Sequence, residues 1–187
     1  MKKILALSAL VCCVPLFLAL AGCSMLGGNK DNEKSYSQLM NEKLVSFTDC
    51  ANAFSESLER IAGSKSAPSD SQIEDIQNKL DRLQAACIEL SGQKAPAEYS
   101  AAQKAIDTAM ADYSDAADNC SALLEFYGAY DDLFRKFNNP AEGSVEMEKK
   151  ERALYDRFAK AMMKATDSFR AACEEFDKVQ LNNNSGE

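Results

Sequence analysis

Apolar residues recur at alternating steps of three and four along four segments, covering residues 35–62, 72–91, 96–137 and 144–181. This spacing places them on one face of an α-helix. No segment alternates with a period of two residues while being rich in β-branched side chains. The pattern therefore predicts an all-α protein with four amphipathic helices.

Each segment supplies one apolar stripe, and these stripes are the predicted core. The positions are Met40, Leu44, Phe47, Ala51, Phe54, Leu58 and Ile61; Ile73, Ile76, Leu80, Leu83, Cys87 and Leu90; Tyr99, Ala102, Ile106, Ala109, Tyr113, Ala116, Cys120, Leu123, Tyr127, Tyr130, Phe134 and Phe137; and Met147, Leu154, Phe158, Ala161, Ala165, Phe169, Ala172, Phe176 and Val179.

Serine and proline mark where the helices begin. Ser35 with Gln38, and Ser71 with Glu74, have the spacing of capping boxes. Pro96 suits the first position of the third helix. These residues predict three of the four helix starts.

Glycines and a polar loop mark where the helices end. Gly63 and Gly92 are predicted to stop the first two helices. The helical spacing of apolar residues continues past Gly128. The third segment is therefore predicted to be one long helix, with at most a bend at this glycine. Residues 138–143 form the next predicted break.

Four helices joined by short connections predict an antiparallel, up-down-up-down four-helix bundle. The third and fourth helices are the longer pair, so their joined end is expected to project by roughly 20–30 Å. That end carries Phe126, Tyr127, Tyr130, Phe134 and Phe137. These rings are either ordinary core or, if exposed, a partner-binding tip.

An apolar run from Ile4 to Leu20 follows Lys2 and Lys3, and the sequence Leu-Ala-Gly-Cys ends at Cys23. A charged start, an apolar middle and small residues at the end have the order of an export signal. The run is also long enough for an uncleaved membrane anchor. The closing motif resembles the lipobox of bacterial lipoprotein precursors.

That resemblance implies cleavage between Gly22 and Cys23 and attachment of a diacylglyceryl group to the Cys23 sulfur, with palmitate-like acyl chains. Two acyl chains anchor a protein stably where one does not. The protein is then expected in the bacterial cell envelope. Because Ser24 is not aspartate, the resemblance implies the outer membrane, facing the periplasm, if the cell is Gram-negative.

The resemblance also divides the chain into four parts. Residues 1–22 are the predicted signal peptide, 23–34 the lipidated cysteine with a flexible tether, 35–181 the bundle and 182–187 a disordered tail.

Charge and composition exclude several classes of function. The formal net charge of −8 becomes −10 once Lys2 and Lys3 leave with the leader. This is the wrong sign for a nucleic-acid-binding protein. There is no histidine, which removes Ser-His-Asp catalysis and His-ligated metal sites. The sequence predicts no cofactor and no metal.

Four of the seven cysteines lie in the predicted helices: Cys50, Cys87, Cys120 and Cys173. An even set in an exported chain suggests two disulfides. The alternatives are buried free thiols and a four-thiolate metal site, which lacks the usual C-x-x-C spacing. Height along the bundle disfavours Cys87–Cys120 and favours Cys50–Cys87 with Cys120–Cys173.

The sequence therefore predicts a membrane-anchored envelope lipoprotein with a non-enzymatic helical bundle that binds a protein or an envelope component. The alternative is a small-molecule or lipid carrier with a cavity between its helices. An enzyme is the least favoured, because no catalytic set is recognisable.

Overall fold

The computed structural model describes residues 35–62 and 68–184, and these residues are helical throughout apart from short connections. The all-α prediction is confirmed for this part of the chain, which contains no strand. The elements are α1 (Tyr36–Ala62), α2 (Asp70–Leu90), a 3-10 turn (Ala97–Tyr99), α3 (Ser100–Gly128), α4 (Tyr130–Phe134) and α5 (Pro140–Asn184).

Helix α1 begins where the capping box predicts. The Ser35 backbone N–H donates to Gln38 Oε1 at 3.2 Å, and the Gln38 N–H donates to Ser35 Oγ at 3.3 Å. All seven apolar positions predicted for this helix are buried. Its amphipathic pattern therefore fixed both its start and its buried face.

Helix α2 begins two residues before the predicted position. The box is formed by Ser69, which accepts from the Gln72 N–H, while the Gln72 side chain accepts from the Ser69 N–H at 2.9 Å. Ser71 and Glu74 have similar spacing but lie inside the helix. The box of Ser69 with Gln72 is the one that forms, because it satisfies the first free N–H groups of a helix that starts at Asp70.

The third predicted helix is divided. A 3-10 turn after Pro96 leads into α3, and Ala129 separates α3 from the short α4. Gly128 weakens the helix here, because it has no side chain to pack and a high conformational entropy when unfolded. Helix α4 ends at Phe134, so the predicted continuous helix to residue 137 is wrong.

Helix α5 begins at Pro140, four residues earlier than predicted, and runs to Asn184, three residues further. Proline lacks an N–H that would be unpaired in the first turn anyway. The Asn139 side chain also accepts the Ala141 N–H at 3.0 Å. The segment interpreted as a break is therefore a helix start.

Aromatic contacts fix how α1 runs along α5. Ring centroids lie 6.5, 4.7 and 6.4 Å apart in the pairs Tyr36–Phe176, Phe47–Phe169 and Phe54–Phe158. Residue numbers rise along α1 as they fall along α5. Beyond the last pair, α5 has about ten more residues than α1, so it extends roughly 15 Å past the end of α1. The predicted projection of 20–30 Å was too large.

Helices α3 and α5 pack along each other most extensively. Ala102, Ala109 and Ala116 on α3, and Ala165 and Ala172 on α5, are completely buried. Small side chains allow helix axes to approach closely. None of the helices in residues 35–62 and 68–184 is both long and apolar enough to cross a membrane.

Candidate functional site

The junction of α3 and α4 carries a continuous array of aromatic rings. Phe126 and Tyr130 meet edge to face with centroids 5.7 Å apart, and Tyr130 stacks on Phe134 at 6.3 Å. The Lys150 ammonium lies 5.6 Å from the Phe126 ring centroid. The array thus bridges the interruption at Ala129 and is covered in part by α5.

The five predicted tip residues differ in exposure. Phe126 and Tyr127 are only 3% and 8% exposed, so these two belong to the core. Tyr130 and Phe134 are half-buried, and Phe137 is exposed. The accessible part of the predicted tip therefore consists of Tyr130, Phe134 and Phe137, which we call the tip surface.

Phe137 rests on the backbone of α5. A Cβ atom built on Gly143 would lie 2.9 Å from Phe137 Cβ and 3.0 Å from its Cγ. Real Cβ contacts are not this short, so only glycine leaves room for the ring. The glycine in the first turn of α5 thereby fixes one end of the tip surface.

A buried carboxyl group joins α3 to α5 close to the tip surface. The Tyr127 hydroxyl donates to Glu151 Oε1 at 2.8 Å. Burial raises the pKa of Glu151; the hydrogen bond from Tyr127 opposes this, and Glu148 adds to it. Burial, followed by the charge of Glu151, raises the pKa of Tyr127.

A second buried carboxyl group joins the same helices further from the tip. Asp112 accepts from Lys164 Nζ at 2.8 Å and from the Ser168 hydroxyl at 2.6 Å. Burial acts to raise the pKa of Asp112, but the two hydrogen bonds and the charge of Lys164 outweigh it, so the pKa is lowered.

Sequence reasoning missed both carboxyl groups, although a signal was present. Asp112 lies between the buried Ala109 and Ala116, and Glu151 lies four residues after the buried Met147. An acidic residue on the apolar face of a helix either pairs or changes its protonation.

The four cysteines are free thiols in the structure, so neither predicted disulfide is formed in it. Burial raises the pKa of Cys87, Cys120 and Cys173 to about 12. Burial also raises that of the half-buried Cys50, against the opposing charge of Arg82. The thiolate, which is the reactive form, is therefore disfavoured at all four.

The predicted Cys120–Cys173 pair does not fit the register of α3 and α5. Tyr127 contacts Glu151 and Asp112 contacts Lys164, so Cys173 lies beside α3 about fifteen residues away from Cys120. That separation is roughly 20 Å, whereas bonded cysteines need Cα atoms within about 7 Å. This part of the predicted pairing is corrected.

Gly22 and Cys23, the predicted cleavage and lipid-attachment positions, lie outside the described residues. Across residues 35–62 and 68–184, no three His, Cys, Asp or Glu side chains converge on a point where a metal ion could bind. No protein family, curated protein or solved structure matches the chain.

Proposed function

We propose that the protein is a lipid-anchored bacterial envelope protein whose non-enzymatic helical bundle presents the tip surface to a protein or another envelope component. The lipobox-like sequence ending at Cys23 supports the anchor. The accessible rings of Tyr130, Phe134 and Phe137 support the binding role, because aromatic residues are enriched at protein interfaces and tyrosine among the residues that contribute most binding energy.

The proposed architecture is an antiparallel four-helix bundle of α1, α2, α3 and α5, with α4 as a short addition. Between α1 and α2, Lys43 Nζ donates to the Glu89 carbonyl at 3.1 Å, and Ser57 Oγ donates to Asp75 at 3.0 Å. Low numbers on α1 thus meet high numbers on α2, which supports an up-down arrangement.

The observation that carries the binding proposal is the distance between the two ends of the bundle. Tyr36, at the start of α1, packs against Tyr99 with centroids 5.0 Å apart and contacts Phe176 near the end of α5. From Phe176 to Pro140 is roughly 54 Å of helix. A chain tethered before Tyr36 therefore carries its tip surface far from the anchor.

The tip is tested by crosslinking in the native envelope, comparing the full-length chain with a Tyr130→Ala/Phe134→Ala variant. We expect a specific crosslinked species to be lost, because both rings are accessible. The matched control is Met163→Ala, which removes a side chain that is 54% exposed on α5 outside the tip surface. Crosslinks that are equal in all three proteins, with the fold intact by circular dichroism, contradict the proposal.

The anchor is tested separately with Cys23→Ser. We expect loss of metabolic lipid labelling and release of the chain from membranes, because no other residue supplies the thioether. A matched Cys50→Ser variant is expected to remain labelled. Lipid labelling that persists in the Cys23→Ser protein contradicts the anchor.

A carrier function remains as the second candidate because of two hydroxyl groups. Tyr113 Oη and Thr166 Oγ1 are buried without a hydrogen bond of ordinary geometry. Burial raises the pKa of Tyr113 to about 12, against a lowering effect of the nearby Thr166. A small apolar ligand carrying one polar group would satisfy them. Native mass spectrometry of the protein from its own envelope, with Tyr113→Phe for comparison, tests this; a ligand-free spectrum contradicts it.

A further inference from the structure

Of the two buried carboxyl groups between α3 and α5, Glu151 is the one closer to the tip surface. It is 7% exposed, lies on α5, and binds Tyr127 just before the interruption at Ala129. The hydrogen bond therefore links α3 to α5 two residues before the interruption that leads into α4. The array from Phe126 to Phe134 continues directly from it.

Burial and the charge of Glu148 disfavour the ionised form of Glu151, and the hydrogen bond from Tyr127 partly offsets them. On α3, Tyr127 faces it; on α5, Glu148 is its titratable neighbour, while Cys120 and Tyr155 lie near Tyr127. Helix α4 carries Asp131 and Asp132, and Arg135 follows its last residue; all three are exposed. A carboxylate here has one phenol as a donor and a second negative charge nearby.

We propose that the buried Glu151 is an acid-strengthened latch: protonation of Glu151 closes the junction of α3 with α5 and orders the tip surface, and ionisation loosens it. As a neutral acid, Glu151 still accepts from Tyr127 and needs no further solvation. As a carboxylate it requires water that the buried position excludes. The latch is independent of the proposed function, because it concerns the order of the tip without any partner.

The direction of the pH effect follows from protonation. The folded chain holds the proton on Glu151 more tightly than the unfolded chain does, whose glutamate pKa is about 4.3. The stabilising contribution is therefore fully present below that value and is lost as the pH rises through the pKa of the folded state.

Hydrogen exchange of the full-length protein, followed by mass spectrometry, tests the latch. Peptides covering residues 121–137 are compared at pH 5 and pH 7.5 after correction for the intrinsic exchange rate. We expect several-fold stronger protection at pH 5, with roughly tenfold for each unit by which the pKa is raised. In Glu151→Gln the protection should be high at both pH values, because the amide cannot ionise.

Two further variants complete the test. Glu146→Gln, an exposed change on the same helix, should keep the pH dependence of the unmodified protein. Tyr127→Phe removes the hydroxyl that donates to Glu151 and favours its ionised form. The pH dependence of the protection should therefore become steeper. Equal protection at pH 5 and pH 7.5 in the unmodified protein overturns the latch. So does an unchanged pH dependence in Glu151→Gln.

Discussion

The two buried carboxyl groups between α3 and α5 have pKa values that are shifted in opposite directions. Asp112 lies where α1 also packs on α5, and it receives hydrogen bonds from Lys164 and Ser168. Glu151 lies towards the tip, where the structure gives it one phenol donor. The pKa of Asp112 is lowered, whereas that of Glu151 is raised.

The difference shows that the number and charge of the donors, rather than burial alone, decide whether a buried carboxyl ionises. Burial raises the pKa of both groups. The ammonium and hydroxyl around Asp112 more than compensate, and the single phenol beside Glu151 does not. One helix pair therefore contains a carboxyl group that its donors hold in the charged form and another whose burial disfavours the charge.

Removing one aromatic ring near Asp112 and one near the tip should give the largest difference in the free energy of unfolding. Phe169 packs on Phe47 and Tyr113, so Phe169→Ala should lower the free energy of unfolding by about 3–5 kcal/mol. Phe134 is half-buried and stacks on Tyr130, so Phe134→Ala should cost about 1 kcal/mol. Urea unfolding at pH 7 measures both. Equal losses in the free energy of unfolding would show that the region near Asp112 and the tip do not differ in stability.

Removing the charge of Asp112 is next in size. At pH 7, Asp112→Asn should lower the free energy of unfolding by about 1–3 kcal/mol, because two hydrogen bonds to a charged group are weakened. The lowered pKa means that this contribution is present above the unfolded value of about 3.9 and disappears as the pH falls through the folded pKa.

Urea unfolding at pH 7 and pH 3 follows this change. Asp167→Asn is the control, because Asp167 pairs with Arg170 at an exposed site and should matter by less than about 0.5 kcal/mol. A loss in Asp112→Asn that is as large at pH 3 as at pH 7 would remove the electrostatic explanation.

The smallest effect is expected from Ser168→Ala. It removes one of the two donors to Asp112 and should cost about 0.5–1.5 kcal/mol at pH 7. Because that hydroxyl lowers the pKa of Asp112, the variant should also raise it. Carboxyl-selective NMR titration measures the change; an unaltered pKa would mean that Lys164 alone holds Asp112 ionised.

Much of the fold could be predicted from the sequence because helical periodicity is a local property. The stripe from Met40 to Ile61 is buried at every predicted position. The predicted start of α2 is two residues late because two serine boxes overlap within six residues, 69–74, and only the packed helix decides between them. The Asn139-Pro140 pair has the composition of a loop but begins a helix.

The candidate site depended on contacts that local patterns do not contain. Phe126 lies off the apolar stripe of α3, yet it is buried because Tyr130 and Lys150 cover it. The mismatch of Cys120 with Cys173 follows from the position of the loop, because Cys120 lies 18 residues before the predicted break at 138–143 and Cys173 lies 30 residues after it. Periodicity therefore predicts which face is buried but not which residue it meets.

Gly143 lowers the intrinsic helix propensity of α5, and its contact with Phe137 shows why a glycine stands there. A glycine inside a helix is less favourable than alanine by about 1 kcal/mol, and α5 carries one in its first turn. An alanine at this position would improve the helix and collide with Phe137. The chain thus gives up intrinsic helix propensity at position 143 to keep an aromatic ring in place. A more stable helix and a displaced ring would arrive together in a Gly143→Ala protein.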